Sequence, residues 1–189
     1  MIAGNGVEMN LPNKLTIIRV CFIPFYVFFL LSGMFGDAGK YIATILFIVA
    51  SATDWLDGYL ARRDNLVTDF GKFMDPLADK LLVSSGLICF ASMQLLPAWI
   101  VIIIISREFI ISGFRLVAST KGTVIAAGWW GKYKTVAQMI MVILLSLNLN
   151  NAAFNVLEQI FIYLSTILTI ISLIDYLVKN QDILKEGSR

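Results

Sequence analysis

The stretch SATDWLDGYLARRDNLVTDFGKFMDPLADK, residues 51–80, decides how this chain folds. Upstream it grows out of the apolar run YIATILFIVA (41–50), and downstream it passes into LLVSSGLICFA (81–91). Asp54, Asp57, Asp75 and Asp79 therefore sit at the boundary of segments that otherwise read as membrane helices, where charge is expensive and is kept for a reason. An α-helix turns ~100° per residue, so Asp54 and Asp57 project within ~60° of each other and Asp75 and Asp79 within ~40°. Each pair occupies one helix face. With the two helices as antiparallel neighbours joined by a polar turn around Arg63 to Phe70, the four carboxylates converge at one end of a bundle.

Outward from this stretch, the composition points to a bilayer. Of the 189 residues, 58% are hydrophobic and only 15% charged, which is outside the usual range for a water-soluble domain. Crossing ~30 Å of hydrocarbon takes ~20 mostly apolar residues. Six runs read as spans: Leu15 to Met34, Lys40 to Leu60, Asp75 to Met93, Pro97 to Ala118, Thr135 to Leu147, and Val156 to Val178. Nothing alternates with period two as a barrel strand would, and lipid offers the backbone no partners. The expected fold is thus an all-α integral membrane protein of six transmembrane helices.

The cations fall on one side of those spans: Lys14 and Arg19 before or within the first, Arg62, Arg63, Lys72 and Lys80 between the second and third, and Arg115, Lys121, Lys132 and Lys134 between the fourth and fifth. Lys179, Lys185 and Arg189 follow the sixth, and only Lys40 lies clearly on the other side, which places both termini in the cytoplasm. The segment Met9 to Lys14 is expected to lie along the interface as a short N-terminal helix, and Trp129 and Trp130 fit an aromatic belt. The polar opening MIAGNGVE lacks the basic, apolar and cleavage regions of a signal peptide. Residues 1–8 read as a remnant ahead of a natural start at Met9, leaving 9–189 as one domain.

Four neighbouring carboxylates repel one another unless cations neutralise them. Histidine is absent, and Cys21 and Cys89 lie in apolar runs without a paired spacing, so neither a thiolate site nor a disulfide framework is indicated. An all-oxygen donor set favours Mg²⁺, Mn²⁺ or Ca²⁺ over zinc. Two such ions ~3.5 to 4 Å apart are the arrangement that recurs in phosphoryl transfer, and an aspartate not fully committed to metal can take a proton from an attacking hydroxyl. Gly58, Ala61 and Gly71 leave room for a nucleotide or pyrophosphate to approach the backbone; the same small residues also serve close helix packing.

A second charged group lies within the fourth span. Arg107 and Glu108 would each cost ~2.5 to 3.5 kcal/mol there if unpaired, so they should face the interior and have partners. Arg107 carries a fork of donors suited to a phosphate, with Glu108 holding it in place and Arg115, Lys132 and Lys134 completing an anion pocket. The plainer alternative is an internal ion pair for Arg107 and Glu108, with the other cations as topology anchors. Asn13, Thr16 and Arg19 are candidates to close over a nucleotide, or else to cap and anchor the first helix.

The pattern Asp54-x2-Asp57-Gly58-x2-Ala61-Arg62-x8-Gly71-x3-Asp75-x3-Asp79 resembles in full the signature of the CDP-alcohol phosphotransferases. The resemblance implies that the four aspartates bind two divalent metal ions, Mg²⁺ or Mn²⁺, and that Asp79 is also the base acting on the acceptor alcohol. It implies that Gly58, Arg62 and Thr68 contact the CDP-lipid, that CMP is the leaving group, and that the protein is a homodimer in a bacterial cell membrane with its active site facing the cytoplasm. Outside the signature, NLPNKLTIIR (10–19), DPLADK (75–80), SREF (106–109) and GKYKT (131–135) are similar to those members that use CDP-diacylglycerol as donor and glycerol 3-phosphate as acceptor. Membrane lipid is the implied environment, and nothing calls for nucleic acid. The alternatives are a member taking inositol phosphate, serine or phosphatidylglycerol, or, from other classes, a divalent-cation transporter or a non-catalytic lipid-binding scaffold. A transporter would carry its carboxylates near the bilayer midplane and show an internal repeat, neither of which is visible. A scaffold would not need both aspartate pairs.

Overall fold

The computed structural model describes residues 11–63, 69–120 and 128–181, with the side chains of all but 11–13, 54–62, 69–73, 75 and 120. Among these residues the regular structure is entirely helical: α1 (Leu11–Leu31), α2 (Asp37–Arg63), α3 (Asp69–Ser92), α4 (Ala98–Thr120), α5 (Trp129–Leu147) and α6 (Ala152–Lys179). Two compact units divide the chain, Met1–Gly86 and Leu87–Arg189.

In the first unit α1 packs against α2. Their connection turns at Gly33 (φ 61°) and Gly36 (φ 50°), left-handed positions that cost a glycine little and an L side chain much. The facing surfaces are apolar, Tyr26 and Leu30 on α1 against Ala43, Phe47 and Ala50 on α2, with the Tyr26 and Phe47 rings 5.8 Å apart. A Cβ at Gly86 would lie 2.7 Å from the Tyr26 Oη, so α3 comes this close to α1 only because position 86 has no side chain. The buried face of α1 also carries Thr16 and Arg19, one turn apart. No separate interfacial helix occurs among the described residues: Leu11 to Lys14 are the first turn of α1 itself. Pro12 is tolerated there because first-turn N–H groups have no helical acceptor to lose.

In the second unit the chain leaves α3 through Gln94, which takes φ 59° while the Leu95 N–H reaches back to the Phe90 carbonyl at 2.9 Å, the bonding of a Schellman cap. Helix α6 packs on both α5 and α4. Asn151 starts α6 by accepting a hydrogen bond from the Ala153 N–H at 3.0 Å, and Asn148, at φ 41°, closes α5. Helix α6 buries an unusually polar face: Glu158, Ser165, Thr166, Thr169 and Ser172 are all buried, while Ile160, Ile167, Ile170 and Ile174 are exposed. The Thr166 and Thr169 hydroxyls satisfy themselves by donating to the Ile162 and Ser165 carbonyls, each at 2.7 Å.

Apolar residues pointing outward recur in both units, among them Phe25 and Ile45 in the first and Ile102 and Ile167 in the second. Over Lys14–Leu31 and over Ala152–Lys179 the helices are long and apolar enough to cross a membrane by length and composition. Helix α4 is of similar length but carries Arg107, Glu108 and Arg115. The family of apolar helices with apolar exteriors associates this chain with a membrane.

Candidate active site

The 51–80 stretch folds as helix on both sides of its centre. Helix α2 continues through Asp54, Asp57, Gly58, Ala61 and Arg62 as far as Arg63, and α3 is already formed at Gly71, Asp75 and Asp79. The spacings of three and four within the aspartate pairs are therefore helical spacings, which puts each pair on one face. Upstream of the first pair the Thr53 hydroxyl is tied to the Val49 carbonyl at 2.6 Å. In α3, Pro76 cannot donate a helical hydrogen bond, and the Lys80 ammonium donates to the Pro76 carbonyl at 3.2 Å.

Asp79 is half-buried and has a bonded partner. Asp54, Asp57, Gly58, Ala61, Arg62, Gly71 and Asp75 are placed by their backbone alone, as is Asn13 in α1, and Thr68 lies outside the described residues. Thr16 and Arg19 are fully buried in α1 and both are partnered. Carboxylates at these helical positions offer a donor set of oxygens only, which fits a magnesium- or manganese-type ion and not a thiolate or imidazole metal.

The second unit contains a largely buried polar cluster. Arg107 on α4 is buried; its Nε donates to the Ser172 Oγ on α6 at 3.0 Å, and its Nη1 donates to Glu108 Oε1 at 3.0 Å. The same Glu108 oxygen accepts from the Nζ of Lys134 on α5, itself buried. Two helices, α4 and α5, thus meet on one carboxylate that accepts from two cations, and α6 joins the cluster through Ser172. Charge-assisted bonds in such a protected place are strong and geometrically restrictive. Lys132 and Arg115 are arranged differently: the Lys132 ammonium sits 4.4 Å above the Trp129 ring, and Arg115 is exposed on α4.

Ser172 was not singled out from the sequence. The signal that finds it is periodicity: in a Leu/Ile-rich helix, polar residues recur at Glu158, Ser165, Thr169, Ser172 and Tyr176, spaced as one helical face. A polar stripe in a membrane-type helix must face protein rather than lipid.

Residues 9–171 match the family model described as CDP-alcohol phosphatidyltransferase. The chain is 46% identical to a Bacillus subtilis CDP-diacylglycerol–glycerol-3-phosphate 3-phosphatidyltransferase, an alignment covering 95% of this chain and 99% of the relative. It is 42% identical to the Haemophilus influenzae protein of the same description, over 90% of this chain and 92% of that one. A probable phosphatidylglycerophosphate synthase of Mycobacterium tuberculosis is 35% identical, over 94% of this chain and 85% of its own length.

Proposed function

Because the chain belongs to the CDP-alcohol phosphatidyltransferase family, we propose that it transfers the phosphatidyl group of CDP-diacylglycerol to glycerol 3-phosphate, giving phosphatidylglycerol phosphate and CMP. The activity carried by the names of its relatives supports this acceptor. The observation in the chain itself that favours a phosphate-bearing alcohol is the cluster in the second unit, where the Arg107 guanidinium and the Lys134 ammonium are brought together on Glu108. Two neighbouring cationic donors suit a phosphate monoester better than a zwitterionic or neutral alcohol.

In this reading Asp54, Asp57, Asp75 and Asp79 hold two divalent ions, which when bound neutralise the diphosphate and stabilise the departing oxygen of CMP. Asp79 takes the proton from the acceptor hydroxyl as its oxygen bonds to the phosphorus attached to diacylglycerol, and the bond from that phosphorus to the oxygen of CMP breaks. Gly58, Ala61 and Gly71 let the nucleotide approach the helix backbone, with Arg62, Thr68, Asn13 and Thr16 binding around it. Arg107 and Lys134 take the acceptor's phosphate, and Arg115 and Lys132 draw the anion in from solvent. The helices are six transmembrane spans with both termini in the cytoplasm, in a homodimer of the bacterial cell membrane whose active site opens to the cytoplasm.

The test offers purified protein Mg²⁺ and CDP-diacylglycerol with glycerol 3-phosphate, inositol phosphate, serine or phosphatidylglycerol in turn, and follows CMP release. Release with glycerol 3-phosphate alone is expected. Release with serine and not with glycerol 3-phosphate would keep the family and remove the acceptor.

A further inference from the structure

The way Arg107 is held assigns a function to a residue that neither the signature nor the charged cluster uses. Of its three guanidinium nitrogens, Nε is committed to Ser172 and Nη1 to Glu108. Among the described residues Nη2 donates to none, although Arg107 is only 9% exposed. A guanidinium keeps its full charge, and with Nε and Nη1 committed the nitrogen left to bind an incoming anion is Nη2. What lies beside Nη2 is Gly131, in the first turn of α5: a Cβ built there would sit 3.4 Å from Nη2.

The backbone gives no reason for a glycine at this place. Gly131 is helical, its φ is not positive, and its N–H bonds the Gly128 carbonyl at 3.1 Å. Alanine would be favoured over glycine by roughly 0.5 to 1 kcal/mol of helix propensity. The absent side chain instead leaves free the ground next to the uncommitted nitrogen, where an oxygen bonded to Nη2 would stand at ~2.8 Å. The neighbouring Lys134 belongs to the same cluster and the same GKYKT segment.

We infer that Gly131 is a specificity-determining position, keeping one face of Nη2 open so that Arg107 can bind a single oxygen of a phosphate monoester. Ser172 and Glu108 are the positioning residues that turn the guanidinium so that Nη2 is the nitrogen offered. The inference rests on the proposed reading that Arg107 receives the acceptor's phosphate. A methyl at 131 would crowd that oxygen without touching the committed bonds.

The experiment measures steady-state kinetics and thermal unfolding of the detergent-purified chain with Gly131→Ala, Arg107→Lys and both together. Gly113→Ala on α4, where an added Cβ meets nothing within 4 Å, is the control. Gly131→Ala should raise KM for glycerol 3-phosphate about tenfold, the usual scale of a lost charged hydrogen bond. KM for CDP-diacylglycerol and the unfolding temperature should hold or, for the latter, rise. In the Arg107→Lys background the same substitution should add almost nothing, since Nη2 is gone. An unchanged acceptor KM, a raised donor KM instead, or a lower unfolding temperature would each overturn the inference. If Arg107→Lys itself left the acceptor KM untouched, the reading beneath it would fall, whereas an effect of Arg107→Lys without one of Gly131→Ala would sink the inference alone.

Discussion

Glu108 is the residue on which the second unit's polar core turns. It accepts from Arg107 beside it and from Lys134 on another helix, through one oxygen, so its loss removes the acceptor that the two cations share. Removing one partner from a buried ion network is more damaging than never having built it, typically by about 3 to 5 kcal/mol. Glu108→Gln is therefore expected to lower stability by about that much in thermal unfolding, and more than Lys134→Met, which leaves Arg107 and Glu108 as a neutral pair. Equal effects would mean that Lys134 contributes as much as the carboxylate and that the two-cation account is wrong. At this scale the sequence shows half of the arrangement. Arg107 and Glu108, adjacent and mid-helix, announce a need for partners, but Lys134 and Ser172 stand 27 and 65 positions from Arg107, and which residues face one another across helices depends on a register that periodicity alone does not set.

The elements follow hydropathy in their existence and depart from it at their ends. The run Thr135 to Leu147 underestimates α5, which starts at Trp129, because Lys132 and Lys134 look like loop cations until Lys134 is seen paired with Glu108. Helix α3 likewise starts at Asp69, before its apolar stretch, and α2 runs through the aspartates to Arg63. Helical backbone bonding continues wherever the residues allow it, and polar side chains do not stop it. Caps do mark an end: Asn151, which accepts the Ala153 N–H, anchors the start of α6. Asn151→Ala should cost about 1 kcal/mol in thermal unfolding, and Asn151→Asp close to nothing. A loss in both variants would point to the Asn amide nitrogen, not its oxygen, as the capping group.

For the molecule as a whole, the reading turns on two charged regions in a chain that, among its described residues, exposes many large apolar side chains in each unit. One is the aspartate signature across α2 and α3, the other the Arg107, Glu108 and Lys134 cluster. The signature stood out in the sequence because carboxylates at spacings of three and four are kept in membrane-type helices only for a reason, and the structure adds that both pairs lie in helical backbone. The Arg107, Glu108 and Lys134 cluster was legible in its charge but not in its geometry, since Lys132 and Arg115 carry the same charge as Lys134 and are differently disposed. The most direct measurement is formation of labelled lipid from CDP-diacylglycerol and radiolabelled glycerol 3-phosphate by the purified chain, with Mg²⁺ or Mn²⁺, with chelator, and with Asp79→Asn. Equimolar CMP and labelled lipid, abolished by chelation and reduced at least about a hundredfold by the substitution, is the predicted result. Undiminished turnover in the folded Asp79→Asn protein, or turnover indifferent to chelator, would contradict the account.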